Sequence, residues 1–216
     1  MKADMRPDDL SPIHLDVLRE IGNIGQGNAA TALAAFSRKL VTIDVPCVRI
    51  LDINEAAQFL GGPENVVTAI CVRLKGDISG MMLTIMEREF VSDLIRLVFG
   101  AEPDDLYAMD DLQNSFVQEI GNILSGSYLN AVSAMSGMSA EVTVPSVATD
   151  MVGAILAVPA VECAALGTKV MFIEDSFTFA DGFDENERVS GSAVRCNMIL
   201  VPQMSSLEML FDRLKV

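Results

Sequence analysis

The chain has 216 residues, 15 of them Lys or Arg and 30 Asp or Glu, for a formal charge of −15; half are hydrophobic and about a fifth charged. With a mean hydropathy of +0.37, that composition excludes disorder, which requires too little apolar surface to offset the entropy of ordering. The basic residues are scattered, as in Arg38-Lys39 and Arg73-Leu74-Lys75, so neither nucleic acid nor an anionic membrane surface is an expected partner.

Residues 1–12 lack the apolar stretch and small-residue cleavage site of a signal peptide, and a cytoplasmic location is expected. Ser11 as N-cap and Pro12 at the first helical position open a long helix over 13–38. Residues 40–51 read as strand punctuated by Pro46, 54–60 as a short helix closed by Gly61-Gly62, and 66–75 and 79–86 as two strands joined by a Gly76-Asp77 turn. A helix over 88–99 ends at Gly100. After a short connection at 101–107 the plan repeats: helix over about 111–135, strand through Val142-Thr143-Val144, a short helical stretch near 151–157, strands near 169–179 and 191–201, and a closing helix over 205–214. The polar segment 180–187 reads as a loop. The most apolar window, 151–166, is short and broken by Pro159 and Glu162, so no membrane span is expected.

The repetition extends to residues. Glu20-Ile21-Gly22-Asn23-Ile24 recurs unchanged as Glu119-Ile120-Gly121-Asn122-Ile123; at the same offset of 99, Gly27 falls on Gly126 and Val45-Pro46 on Val144-Pro145. One register across a whole helix and into the next element reads as a duplication. The expectation is one domain, 1–216, built from repeats at 11–100 and 110–214 that share a sheet and a core.

At 100° per residue, Asp16, Glu20 and Asn23 fall within about 60° of one another and form a polar stripe, with Ile13, Val17, Ile21 and Ile24 on the buried side. Ser115, Glu119 and Asn122 repeat the stripe beside Leu112, Phe116, Ile120 and Ile123. Glu and Asn are identical between copies, whereas the neighbours Arg19 and Gln118, or Gln26 and Ser125, read as exposed and have drifted. Asn is also a poor helix-interior residue, because its side chain competes for backbone hydrogen bonds. Its retention twice in mid-helix points to a role. Gly22, Gly25, Gly27, Gly121 and Gly126 each disfavour a helix by roughly 1 kcal/mol relative to Ala, which calls for close approach of another backbone or of a partner.

Two other readings are set aside. Gly25 to Ala30 fits a dinucleotide-binding Gly-x-Gly-x-x-Ala, with Asp44 in the place of a ribose-binding acid, but such a loop must follow a strand and this one lies inside a helical pattern. Cys47, Cys71, Cys163 and Cys196 are far apart and His14 is the lone histidine, so no metal site is expected; the thiols read as reduced and mostly buried, and His14 as a surface residue.

The pattern Asp/Ser, three residues, Glu, two residues, Asn, 22 residues, Pro is met by Asp16, Glu20, Asn23 and Pro46 and again by Ser115, Glu119, Asn122 and Pro145. This resembles the signature of the CheC/CheX/FliY phosphatases of bacterial and archaeal chemotaxis, and with two intact copies and no extra domain it is most similar to their CheC branch. The resemblance implies an α/β (α+β) fold with pseudo-two-fold symmetry, two long helices packed on a continuous β-sheet. It also implies that the substrate is the phosphorylated response regulator CheY. No cofactor of its own is implied, Mg²⁺ being carried by the regulator. Asn23 and Asn122 would position water, Glu20 and Glu119 would pair with a cation on the regulator, Asp16 and Ser115 would sit at the edge of the site, and Pro46 and Pro145 would end or bend a strand. The resemblance further implies binding of the receptor deamidase CheD, for which the segment 147–166 with Asp150 is the suggested contact. The alternative is a non-catalytic docking module like the related middle domain of flagellar switch proteins.

Overall fold

The computed structural model describes residues 10–37, 39–103, 105–166, 169–180 and 193–216. In chain order its elements are α1 (Pro12–Ser37), β1 (Leu40–Ile43), β2 (Cys47–Asp52), α2 (Ile53–Phe59), β3 (Val66–Gly76), β4 (Gly80–Met86), α3 (Arg88–Phe99), α4 (Asp111–Ser136), β5 (Ala140–Val142), β6 (Ser146–Met151), α5 (Val152–Leu166), β7 (Lys169–Ala180), β8 (Ala193–Pro202) and α6 (Met204–Leu214). A 3-10 turn at Leu106–Ala108 lies between α3 and α4.

The helix ends follow local chemistry. Ser11 Oγ accepts from the His14 amide at 3.3 Å at the start of α1. Asp110 and Gln113 form a reciprocal capping box at the start of α4, and Gly137, at φ 67°, closes it in the left-handed conformation. Gly100 ends α3 in the same way.

The strands form one antiparallel sheet in the order β1-β7-β8-β4-β3-β5, with β2 also paired to β7 and β6 to β3. The pairing is reciprocal. Val48 of β2 lies opposite Ile173 of β7, and Val147 of β6 lies opposite Ile70 of β3. In the centre, Leu83 of β4 lies opposite Ile199 of β8. Each half of the chain therefore donates its first two strands to the other half's long strand, and the hydrogen-bonded ladder crosses between halves at every edge.

Side chains alternate across the sheet as the pleat requires. Val170, Phe172 and Ile199 join Ala56, Leu60, Ile155 and Leu156 in a core under α2 and α5. On the opposite face α1 and α4 lie antiparallel, the Phe36 ring tilted against that of Phe116. They are flanked by α3, through Phe90 and Leu94, and by α6, through Leu210 and Phe211.

Several expectations need correction. The second half has two short strands around Pro145, β5 and β6, where one at 142–144 was expected. α5 runs through Pro159 to Leu166, far beyond the expected 157; its Ala-rich sequence sustains the helix despite the missing amide. Ile13 and Leu112, expected on the buried side, are 59% and 65% exposed: each faces away from the core on the first turn of its helix. Gln26 and Ser125, read as exposed, are fully buried, so their divergence is a change in core packing and not surface drift. His14 is half-buried and stacks on Phe211 at 4.1 Å. Cys196 is buried and Cys47 and Cys71 are half-buried; the side chain of Cys163 lies outside the described residues. So does the expected loop beyond Ala180. The Gly25 to Ala30 segment is mid-helix in α1, which rules out the strand-to-helix glycine loop of a dinucleotide site.

Candidate functional site

The glycines set how closely the long helices approach their surroundings. A Cβ on Gly22 would lie 3.4 Å from Val48 Cγ2 and 3.7 Å from Pro46 Cγ, and one on Gly121 would lie 2.5 Å from Ile70 Cδ1. Both helices thus sit directly on the sheet at the residue before the motif Asn. A Cβ on Gly25 would lie 2.6 Å from Tyr128 Cδ1, so α1 also closes directly on α4. Gly27 and Gly126 differ: among the described residues nothing comes within 4 Å of a Cβ built there. Each stands four residues after its Asn, on the same face of the helix.

Beneath that surface lies a polar seam. The Tyr128 hydroxyl donates to Asp175 Oδ2 of β7, and Ser125 and Thr84 share a hydrogen bond at 3.2 Å. Asp175 Oδ1 and both amide atoms of Gln26 are buried with no hydrogen-bond partner among the described residues. Burial pushes the Asp175 carboxyl up to about 7, with Glu174 adding to the shift and the Tyr128 hydrogen bond opposing it. Burial likewise drives the Tyr128 hydroxyl and the Cys196 thiol up. The seam holds no nucleophile open to solvent.

The motif residues are on the outer face. Asp16, Glu20 and Asn23 are exposed on α1; Ser115 and Glu119 are exposed and Asn122 half-buried on α4. Asn23 Nδ2 donates to Glu20 Oε2 over a long 3.5 Å, while Glu119 and Asn122 have no hydrogen-bond or ion-pair partner among the described residues. The edge positions are occupied locally: Asp16 pairs with Arg19 at 2.7 Å, and the Ser115 hydroxyl donates back to the Asp111 carbonyl at 2.7 Å. Pro46 and Pro145 stand between β1 and β2 and between β5 and β6. Each loop is held against its helix, Pro46 by packing on Gly22 and Pro145 by its carbonyl, which accepts from Gln118 Nε2 at 3.1 Å. Asp150, on β6, accepts from the Met151 amide at 2.7 Å and lies just before α5, away from both Glu–Asn pairs in the chain.

What the arrangement offers chemically is limited and specific. A helix-borne carboxamide has its own backbone satisfied, so its C=O and NH₂ are free to accept from a water and donate to an oxyanion. The carboxylate one turn earlier supplies a fixed negative charge.

Comparison with known proteins shows the family. The profile of the CheC-like family matches residues 13–49, which hold the first Glu–Asn pair and Pro46, and that of the chemotaxis phosphatase CheX matches residues 68–166, which hold the second. The CheY-P phosphatase CheC of Bacillus subtilis is 31% identical over 199 residues, 91% of each chain. The chain belongs to the CheC-like family. Among solved structures, Thermotoga maritima FliY superposes with a TM-score of 0.71 at 18% identity, covering 95% of this chain and 98% of that one. The FliM middle domain from H. pylori superposes at 0.63 with 12% identity, covering 94% and 99%. At these identities the likeness is one of fold. The CheC-like fold is thus an α+β sheet with two long helices on one face, and no helix among the described residues is long and apolar enough to cross a membrane.

Proposed function

We propose that this CheC-like protein hydrolyses the aspartyl phosphate of the phosphorylated response regulator CheY, working in the cytoplasm as one domain of two repeats, 11–100 and 110–214, each with its own site. The observation that carries the reading is the Glu–Asn pair presented to solvent from mid-helix in both repeats, Glu20 with Asn23 and Glu119 with Asn122. Phosphoryl transfer asks for a positioned nucleophile and stabilised charge. The regulator brings Mg²⁺; Asn23 or Asn122 holds water in line with the P–O bond, accepting from it through the carbonyl and donating to a phosphoryl oxygen. Glu20 and Glu119 pair with a cation on the regulator and fix the docking register. Asp16, Ser115, Pro46 and Pro145 support the site without touching the phosphoryl group.

Phosphate release from purified phosphorylated CheY tests this. Asn23→Ala and Asn122→Ala should each leave partial activity, and the double variant should fall to the regulator's own decay rate. Full activity in the double variant would remove the water-positioning role. Binding without phosphate loss in the unaltered protein would favour the alternative, a docking module of the flagellar switch, whose fold the FliM middle domain shares.

A second partner is proposed for the segment after Pro145. α5 has 15 residues against seven in α2, and it leaves Val158 and Val161 exposed beyond Asp150 and Met151. That apolar, Ala-rich face suits the deamidase CheD. An Asp150→Lys variant should bind CheD more weakly, measured by calorimetry; unchanged affinity would exclude Asp150 from the contact.

A further inference from the structure

We infer that each Glu–Asn pair is one half of a docking surface whose other half is apolar: Val45, Ile43 and Ile13 beside the first pair, and Val144, Val142 and Leu112 beside the second, seating an apolar patch of the phosphorylated receiver domain next to its aspartate. This rests on the phosphatase reading above and names how that substrate is held.

The observations are repetition and reach. Val45 and Val144 are 85% and 84% exposed, and Ile13 with Leu112 and Ile43 with Val142 are exposed as well. Each pair stands at the offset of 99 that relates Asn23 to Asn122. Single exposed apolar residues are ordinary on any protein. Three positions exposed and apolar twice, around the same motif, are not accounted for by packing among the described residues. The valines are also held in place: Pro46 packs on Gly22, the residue before Asn23, and the Pro145 carbonyl is bonded to Gln118, the residue before Glu119.

Reach identifies what covers them. An α-helix with its side chains is about 10–12 Å across, so an Asn carboxamide stands no higher than its neighbours on the helix. For Asn23 to touch a phosphoryl group on a folded protein, that protein must rest on the helix surface. An ordinary interface occupies about 800 Å² per partner, a disc of roughly 16 Å radius. Val45, directly before Pro46, which packs on Gly22, falls well inside it. Ile13 stands seven residues before Glu20 and ten before Asn23, about 10 Å and 15 Å along the axis, and falls near its rim. A receiver domain engaged by Asn23 therefore lies over these side chains, and its surface there must be apolar, with the cation that meets Glu20 beside it.

The test is Val45→Ser combined with Val144→Ser in the full chain. The probes are CheY undergoing turnover and CheY locked in its active form with beryllofluoride and Mg²⁺. Both positions are almost fully exposed, so folding is not at stake, and circular dichroism checks it. The expected result is KM and Kd raised at least fivefold with kcat unchanged. An active parent protein with KM and Kd unaltered by the double variant would overturn the apolar docking surface and leave the catalytic reading standing. A parent protein that neither binds nor dephosphorylates CheY would overturn both.

Discussion

Gly25 of α1 faces the ring of Tyr128 on α4 so closely that a Cβ at position 25 would lie 2.6 Å from Cδ1 and 2.9 Å from Cγ. Those atoms are at the root of the ring, and Tyr128 is anchored at its far end by Asp175, so the side chain has little room to swing away. Gly25→Ala should gain about 1 kcal/mol of helix propensity and lose more to overpacking, for a net loss of roughly 1–2 kcal/mol. Gly27→Ala, two residues on and facing open space, should instead stabilise by about 0.5–1 kcal/mol. Urea denaturation of the two variants gives opposite signs if the helix contact is as described, and the same sign if it is not.

The Tyr128–Asp175 pair predicts a pH dependence. Folded, Asp175 holds its proton to about 7; unfolded, it releases it near the ordinary carboxylate value. Between those values the folded state binds more protons, so this group's contribution falls as pH rises from about 4 to 7 and is flat above. Three units correspond to on the order of 2–4 kcal/mol. Asp175→Asn should therefore be more stable than the parent at pH 8 and should lose that advantage by pH 4.5, read from urea midpoints at the two values. The titrating neighbours are Glu174 on the same strand and Cys196 opposite on β8, and the Asn variant leaves both in place. A stability difference independent of pH would show that Asp175 is ionised in the folded protein.

Much of this architecture is legible in the residues, and the exceptions are instructive. The ends of α1, α3 and α4 follow from Ser11, Gly100, Asp110 and Gly137, whose capping chemistry is local. The pair β5 and β6 was legible too: carrying the offset of 99 past Pro46 maps β1 and β2 onto residues 139–142 and 146–151, within one residue of the observed strands. Alternation alone hid them, because both flank a proline. Gln26 was not legible, since a polar side chain in a helical pattern reads as solvent-facing and only the antiparallel packing of α4 on α1 encloses it. The Tyr128–Asp175 bond joins residues 47 apart and has no counterpart in the first half of the chain, where the offset of 99 puts Ala29 in place of Tyr128, so the recurring residues could not reveal it. Glu20, Asn23, Glu119 and Asn122 stand out as candidates in the sequence because a mid-helix Asn kept twice against its own propensity asks for a reason outside the helix.

The edge residues should matter less than the pairs. Asp16 is paired with Arg19 and the Ser115 hydroxyl donates to a backbone carbonyl, so a ligand would compete with a local partner at both positions. Asp16→Ala with Ser115→Ala should change kcat/KM for phosphorylated CheY by less than about threefold, within the usual range for removing exposed ion pairs. A loss comparable to that of the Asn double variant would place one of them in contact with the phosphoryl group.

Glu20 and Glu119 are exposed, and a charge in that position acts across water and salt. If each meets a cation on the regulator, Glu20→Gln with Glu119→Gln should lower kcat/KM about five- to tenfold at low ionic strength, chiefly through KM, because a docking charge is felt equally in the bound and reacting states. The difference from the parent should shrink as salt rises, since the screening length falls from about 30 Å at 0.01 M to about 10 Å at 0.1 M. Asn23→Ala with Asn122→Ala should behave otherwise: the loss should lie in kcat and be insensitive to salt, because a carboxamide carries no net charge. Steady-state phosphate release at three salt concentrations separates the two. A Glu double variant whose loss stayed in kcat at every salt concentration would move the carboxylates from docking to the reacting atoms.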